Sequence, residues 1–326
     1  MMGQTPHRYL YLIRHEADAP PRPWPWPDNV GQRIEWAWNK YGRMLEQSTW
    51  LDDDTLPYLD PYTGTEIFAE AFGCEVYRPA NDMPCARPLI HLASEVSRLR
   101  VPTLDSPGIA RLFHIADELR QRAGTAALMR TVDIQSPMDI AALIWDKNDL
   151  YMAMIEAPEA VRELADKVRQ LLTAFLDEWF GRYGREHIAH FPDYYMDGGW
   201  TVSEDEVGVV SEETFVELFL PELNVLSQRY GGIAIHCCAN SRHQWEHFKK
   251  IKGLRLLNIC QPKEVVQQAY RFFGKDLVHW HGWNGDGDCW TWADQHPQGV
   301  RFIIEAAAKD REHALQLVDK LHGRGA

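Results

Sequence analysis

The sequence lacks the features of several protein classes. Its 326 residues contain no run of about 18 apolar residues, the length that a membrane-spanning helix requires. They contain no Lys/Arg-rich run, and 47 acidic residues outnumber 34 basic ones to give a net charge of −13. Because nucleic acids and anionic membrane surfaces attract basic proteins, we expect neither as a partner. The segment MMGQTPHRYLYLIRHEAD has no signal-peptide pattern, so the expected location is the cytoplasm.

Cysteine is too sparse for a disulfide framework. The six cysteines include no CxxC pair, which leaves them as buried small hydrophobes, reactive thiolates or metal ligands. The composition, with 45 % hydrophobic and 25 % charged residues, is that of a globular protein. A chain of this length buries enough surface to fold without a metal, so a metal would serve chemistry.

The last two hundred residues alternate between strand-like and helix-like segments. Short apolar runs predict strands at 125–132, 231–238, 254–260, 276–282 and 299–307, and HIAHFPDYYMDGG predicts a strand that ends near Asp197. Between them, helices are predicted to begin at Ser136, Pro158 and Ser211. Gly184 should end the second of these helices, and Pro221 should kink the third. Such alternation builds a parallel sheet.

An open doubly wound sheet and a closed barrel both fit this alternation. No GxGxxG or GxxxxGK[ST] motif follows a predicted strand, which disfavours a nucleotide-binding open sheet. Residues 1–124 leave room for two more strands. We therefore predict an α/β protein with a (β/α)8 TIM barrel as a single domain over 1–326, in which a helical, Pro-rich extension at 1–60 forms an N-terminal cap or arm.

In a barrel, functional residues gather at the C-terminal ends of the strands. His236 and Cys238 lie two residues apart at one such end, so both side chains should point to the same side of the strand. A nitrogen and a sulfur on one face suit zinc, although a buried thiol beside a hydrogen-bonded imidazole gives the same pattern. Cys260, His279 with His281, and Glu305 mark other strand ends. The acidic run at 52–54 is predicted to lie on the surface. The run at 203–206 is predicted to be a solvated loop, with a general acid or a substrate contact as the alternative.

One long segment combines several motifs. Residues 202–248, VSEDEVGVVSEETFVELFLPELNVLSQRYGGIAIHCCANSRHQWEHF, carry an acidic pair, a helix opened by Ser-Glu-Glu, a mid-helix proline and a strand that ends in His-Cys-Cys-Ala-Asn. This arrangement resembles the uroporphyrinogen decarboxylase superfamily, whose corresponding strand ends in His-x-Cys-Gly-Asn, and most closely its corrinoid-linked methyltransferase branch. IWDKNDLYMAMIEAPEAVRELADKV and IFAEAFGCEVYRP are also similar to the family, so that the resemblance covers most of residues 50–322.

The resemblance implies a zinc ion at the C-terminal mouth of the barrel. In that branch zinc is held by His-x-Cys and a later Cys, which makes His236 and Cys238 the implied ligands. The family's later Cys follows the last strand, where this chain reads IIEAAAKD. Cys289 is therefore the candidate third ligand, with His281 and Glu305 as alternatives.

The resemblance also implies a reaction. The chain would be a zinc-dependent methyltransferase that moves a methyl group between a corrinoid, carried by a small partner protein, and a thiol or similar small-molecule acceptor. Asp197 and Asp205 are the candidate catalytic residues near the substrate. The Arg-Gln-Ala-Gly-Arg-Tyr and Phe-Ser-Asp motifs of true uroporphyrinogen decarboxylases are absent. A metal-free lyase for a carboxylated small molecule, or a non-catalytic homologue that binds a corrinoid or tetrapyrrole, stay open as alternatives.

Overall fold

The computed structural model of the protein describes residues 9–15, 19–191, 193–282, 288–291 and 299–322. Its strands are β1 Tyr9–His15, β2 Tyr58–Leu59, β3 Val76–Tyr77, β4 Cys85–Ala86, β5 Leu128–Arg130, β6 His187–Ile188, β7 Tyr195–Met196, β8 Trp200–Ser203, β9 Ile233–Cys237, β10 Leu254–Ile259, β11 Val278–Gly282 and β12 Arg301–Ala308. Its helices are α1 Val30–Gln47, α2 Ile67–Phe72, α3 Ala93–Val96, α4 Pro107–Ala123, α5 Pro137–Ile144, α6 Lys147–Glu156, α7 Pro158–Tyr183, α8 Glu212–Thr214, α9 Leu220–Tyr230, α10 Trp245–Phe248, α11 Lys263–Phe273 and α12 Arg311–His322.

Nine strands of the described residues pair in parallel, six in one sheet and β2, β5 and β6 in another. β1, β12, β11, β10, β9 and β8 pair in this order, and every pair of neighbours is parallel. β2 pairs with β5 in parallel, and a parallel bridge from Gln135 to Ser203 joins the segment after β5 to β8. This arrangement confirms the predicted α/β class, since parallel neighbours require crossover connections.

Carboxylate side chains close the seam between β1 and β2. Within the described ranges no strand ladder joins these two strands. Asp54 Oδ2 instead accepts from the backbone N–H of Tyr11, and Asp53 Oδ2 accepts from that of Ile13, each at 2.7 Å. The acidic run at 52–54, predicted to lie on the surface, therefore satisfies one side of β1. Asp53 is half-buried as a result.

Local start and stop signals are confirmed in the helices. Ser136 caps α5 by accepting the backbone N–H of Asp139 at 3.0 Å, and α7 ends before Gly184. The kink predicted at Pro221 takes the form of a π-helical turn over Phe215–Phe219. Because Pro221 has no N–H and its ring crowds the preceding turn, the hydrogen-bond ladder widens before it.

The segment HIAHFPDYYMDGG differs from its prediction as one strand. It forms β6 and β7, which pair antiparallel, and Asp193 between them has φ +57°. A residue in the left-handed region interrupts an extended strand, and Asp is among the residues that tolerate this conformation. β7 therefore runs against the direction of β8 to β12, and Asp197, which follows it, does not lie at a parallel strand's C-terminal end.

The side chains on one face of the central strands change from apolar to polar toward the C-terminal ends of the strands. Leu12, Ala234, Leu256 and Ile303 belong to one buried cluster in the barrel interior. Two residues further along the same strands, on the same face, stand Arg14, His236, Asn258 and Glu305. The polar side chains thus collect toward the C-terminal ends of the strands. No helix in the described part of the chain is long and apolar enough to span a membrane.

Candidate metal centre

A nitrogen and two sulfurs meet where β9 and β10 end. Ile259 pairs with Cys237 in the parallel ladder, so the next residues, Cys238 and Cys260, are neighbours. One ring nitrogen of His236 and the two thiol sulfurs lie within 4.8 Å of one another, and His236 Nε2 is 3.2 Å from Cys238 Sγ. One imidazole with two thiols is a donor set that suits zinc.

Asn258 orients the imidazole of His236 toward the thiols. His236 Nδ1 donates to Asn258 Oδ1, and Asn258 Nδ2 donates to the carbonyl oxygen of Trp280 at 3.3 Å. Because an amide oxygen can only accept, Nδ1 carries the proton and Nε2 presents its lone pair. Burial lowers the pKa of His236, which keeps the ring neutral. Neutral imidazole is the form that binds metals.

Both thiols are protonated in the protein alone. Burial and then the Asp205 carboxylate raise the pKa of Cys238 to about 12, and burial also raises the pKa of Cys260. The three donor side chains are therefore uncharged before a metal binds. A coordinating divalent cation removes thiol protons outright, so the two cysteines would supply its counter-charge. The residues present fit a zinc ion.

Asp205 holds the turn that carries Cys238. Its Oδ1 accepts from the backbone N–H of Cys238 at 2.5 Å and of Ala239 at 3.3 Å. The carbonyl oxygen of Cys238 accepts from Gln261 Nε2 at 2.7 Å. Asp205 is held in turn because its backbone N–H donates to Asp139 at 2.9 Å. Asp205 thus acts on the backbone beside the thiol.

The buried Asp139 has its own carboxyl partner, Glu204. Burial and the Asp139 carboxylate raise the pKa of Glu204 well above its usual range. The side chains of Glu204 and Asp139 are both almost fully inaccessible. A protonated Glu204 can share its proton with Asp139, so the buried pair supports the Asp205 loop without two adjacent negative charges. The acidic run at 203–206 is therefore largely buried, in contrast to its prediction as a solvated loop.

Asp133 is a polar residue near this site that sequence reasoning missed. Burial opposes its ionisation, but His190 at 2.8 Å and a hydrogen bond from Ser203 Oγ at 2.8 Å lower the pKa of Asp133 to about 2. Its neighbours Val132 and Ile134 are core residues, and this alternation was the available signal. The ring of Phe191, next to His190, stacks on the His236 ring with centroids 4.6 Å apart.

The other predicted site residues lie apart from this group. Cys289 is buried in a separate apolar cluster that includes Phe302, and Glu305 pairs with Arg14 at 2.8 Å. Asp197 is 78 % exposed and pairs with Arg255, which bonds the carbonyl oxygen of Gly231 just before β9 begins. It therefore stands at the opposite end of β9 from His236. The side chain of His281 lies outside the described residues.

The structure thus brings His236, Cys238 and Asp205 together and adds Cys260 to them. Cys260 stood among the strand-end residues of the sequence but was not proposed as a ligand. Its position after a strand adjacent to β9 was the signal that could have identified it.

The chain is similar to known proteins in sequence and in fold. A family model described as "Uroporphyrinogen decarboxylase (URO-D)" matches residues 62–272. Among solved structures, a methyltransferase from Methanosarcina mazei is similar, with a TM-score of 0.61 and 12 % sequence identity over 92 % of this chain and 87 % of that chain. No curated protein matches the sequence. At this identity the likeness concerns the fold, and it confirms the predicted (β/α)8 barrel.

Proposed function

Because the chain belongs to the uroporphyrinogen decarboxylase family, we propose that it uses the family's barrel as a zinc-dependent methyltransferase. It would move a methyl group between a corrinoid, carried by a partner protein, and a small thiol or similar acceptor. One observation carries the proposal: His236, Cys238 and Cys260 present three metal-ligand atoms within 4.8 Å at the C-terminal ends of adjacent strands. Three protein ligands are the number found in catalytic zinc sites, which keep a fourth position open.

The chemistry that zinc supplies is to lower the pKa of a bound thiol, so that the nucleophilic thiolate is available at neutral pH. The residues of the chain prepare the place for it. Asn258 keeps the proton on His236 Nδ1, and Asp205 with Gln261 fixes the turn of Cys238. The stacked ring of Phe191 covers one face of the His236 imidazole and limits its contact with water.

Cys260 takes the role for which Cys289 was the sequence-based candidate. A ligand on the neighbouring strand meets Cys238 without any rearrangement of a loop. The donor composition of one His and two Cys is the same in either case, so the proposed chemistry does not change. The structural similarity to the methyltransferase from Methanosarcina mazei supports the barrel fold on which the proposal depends. The donor set of one His and two Cys supports the choice of zinc.

Elemental analysis of the purified protein tests the metal. We expect about one zinc per chain in the wild-type protein, in line with a three-ligand site. Cys238→Ala and Cys260→Ala should each lose the metal. Cys289→Ala is the matched control, since its thiol is buried in another cluster, and it should retain zinc. Loss in Cys289→Ala with retention in Cys260→Ala would reverse the ligand assignment.

The transfer itself can be followed with methylcobalamin and 2-mercaptoethanol as probes. Loss of the methylcobalamin absorption spectrum together with a methylated thiol, only in the zinc-loaded wild-type protein, supports the proposal. A protein that takes up no metal even with added zinc contradicts it, and a metal-free lyase for a carboxylated molecule would then be the better description. A spectral change on cobalamin binding without methylated product would indicate a binding protein.

A further inference from the structure

A groove lies in the outer helical layer of the barrel, between the start of α10 and the C-terminal half of α11. We call it the α10–α11 groove. Its volume is about 420 Å³, within the range of pockets that hold small organic molecules. In the described part of the chain its lining consists of Arg242, Trp245, Gln268, Arg271 and Phe272. No strand residue and no candidate zinc ligand belongs to this lining, so the groove is separate from the mouth of the barrel.

Aromatic packing holds two sides of the groove in place. Trp245 is 4 % exposed, and its ring lies against the rings of Phe272 and Phe273, with centroids 5.5 and 5.8 Å away. Lys249 Nζ lies 3.6 Å from the centroid of the Phe272 ring, which brings a further positive charge to this part of the surface. The aromatic residues of the lining are therefore fixed by the core, and the groove is formed before any ligand binds.

Two buried polar atoms of the lining have no partner. Trp245 Nε1 and Gln268 Oε1 are shielded from solvent, and neither makes a hydrogen bond to another of the described residues. A buried polar group without a hydrogen bond costs free energy. The indole N–H can only donate, and the amide oxygen can only accept. The groove therefore suits a ligand that carries an acceptor and a donor close together.

Two guanidinium groups border the groove without a neutralising acid. Arg242 and Arg271 are exposed, and neither side chain has an ion pair or a hydrogen bond within the described ranges. The segment 242–275, which forms both walls, contains eight basic and two acidic residues, whereas the whole chain has a net charge of −13. The groove is thus a positive region of an acidic protein, and its field favours an anionic ligand.

We propose that the α10–α11 groove binds a nucleoside phosphate. A guanidinium fork binds phosphate through two parallel hydrogen bonds, and Arg242 and Arg271 each present such a fork. A nucleobase supplies the remaining pair of groups. Adenine, for example, carries the acceptor N7 beside the amino donor N6 on one edge, which complements Trp245 Nε1 and Gln268 Oε1. An inorganic anion meets only the first requirement, and an uncharged nucleoside meets only the second.

Isothermal titration calorimetry of the full chain with adenosine monophosphate (AMP), adenosine and inorganic phosphate tests the proposal. Arg242→Gln and Arg271→Gln each remove one guanidinium group, and Gln268→Leu removes the acceptor at similar volume. Arg100→Gln is the matched control, because Arg100 is an exposed arginine outside the lining. Circular dichroism and urea denaturation establish that each variant is folded. Gln268→Leu should be no less stable than the wild type, since the Gln268 oxygen makes no hydrogen bond that could be lost.

We expect AMP to bind the wild-type protein and Arg100→Gln equally, and to bind Arg242→Gln and Arg271→Gln at least fivefold more weakly. Gln268→Leu should weaken AMP binding by a similar factor and leave phosphate binding unchanged. AMP should bind the wild type more tightly than either adenosine or phosphate, because only AMP meets both requirements. Equal AMP affinity in the wild type and the groove variants, or no AMP binding at millimolar concentration, overturns the proposal. Phosphate that binds as tightly as AMP also contradicts it, since the nucleoside would then contribute nothing.

Discussion

The backbone N–H of Cys260 donates to the carbonyl oxygen of Cys237 at 3.0 Å, which continues the pairing of β9 and β10 by one residue beyond β10. This bond makes Cys260 the neighbour of Cys238. Adjacent strands lie about 4.8 Å apart. Two sulfurs that each bind one zinc at about 2.3 Å must lie within about 4.6 Å of each other. The spacing of a parallel sheet therefore brings the two cysteine side chains near enough for both thiolates to reach one ion.

Replacement of Asn258 should weaken metal binding without removing a ligand. In Asn258→Ala the imidazole loses its Nδ1 acceptor, so His236 can rotate or take the other tautomer. Loss of such a supporting hydrogen bond typically lowers metal affinity about 10- to 100-fold. Competition with a chromophoric chelator measures this change. Asn240→Ala, an exposed asparagine of the same turn, should keep the wild-type affinity.

Substitutions of Asp205 separate its hydrogen-bonding role from its charge. Asp205→Asn retains a side-chain oxygen that can accept from Cys238 and Ala239, whereas Asp205→Ala retains none. We expect Asp205→Ala to lose most of its zinc under dialysis and Asp205→Asn to keep it. If Asp205→Asn retains zinc but loses methyl transfer, Asp205 acts on the substrate and is a catalytic residue.

The stability of the protein should fall as the pH rises through the titration of Glu66. Burial, with a smaller contribution from the Glu70 carboxylate, raises the pKa of Glu66 to about 7. In the unfolded chain the value is about 4.3. An acid with a raised folded-state pKa favours folding fully only below its unfolded-state pKa, and this contribution is lost between about pH 4.3 and 7. The loss is up to about 4 kcal/mol.

Urea denaturation of the wild type and Glu66→Gln at pH 5 and pH 8 measures this effect. Glutamine resembles the protonated carboxyl group and does not ionise, so the variant should lose less unfolding free energy between the two pH values. Glu246→Gln, at an exposed position, should follow the wild type. Parallel pH profiles of the wild type and Glu66→Gln would contradict the assignment.

The helical core around α7 should be sensitive to truncation. The Phe175 side chain is fully buried, and its ring contacts Phe68 and Trp179 at centroid distances of 5.1 and 5.5 Å. Phe175→Ala should lower the free energy of unfolding by about 3–5 kcal/mol, because the cavity cannot collapse among neighbouring rings. Ile155→Ala, at a position that is 78 % exposed, should change it by less than about 0.5 kcal/mol. Chemical denaturation provides both values.

Local chemistry explains which parts of the fold could be predicted. Ser136 and Gly184 delimit helices through bonds and backbone angles that involve only nearby residues. His236 and Cys238 share a side because alternation along a strand needs no tertiary information. The pairing of Cys238 with Cys260 depends instead on which strands are adjacent and on their register. That information is not contained in either segment alone.

Asp197 and Asp53 show the same limit. A reversal at Asp193, at a single left-handed residue, is enough to remove Asp197 from the barrel mouth. Asp53 looks solvated in the sequence because its acceptor role depends on a strand some forty residues earlier. An aspartate is an ordinary residue for either predicted position, a barrel mouth or a solvated surface. The actual positions depend on the path of the chain, which the residue type does not reveal.

The π-helical turn at Phe215–Phe219 also determines which residues on either side of Pro221 face the core. Each residue advances an α-helix by about 100°. The wider turn lets Phe215 and Phe219 before the proline, and Leu223 and Leu226 after it, all reach the core. Deletion of one residue here would restore an ordinary ladder but rotate everything beyond it by a quarter of a turn or more. The helix therefore tolerates substitution along its exposed side far better than any change in its length.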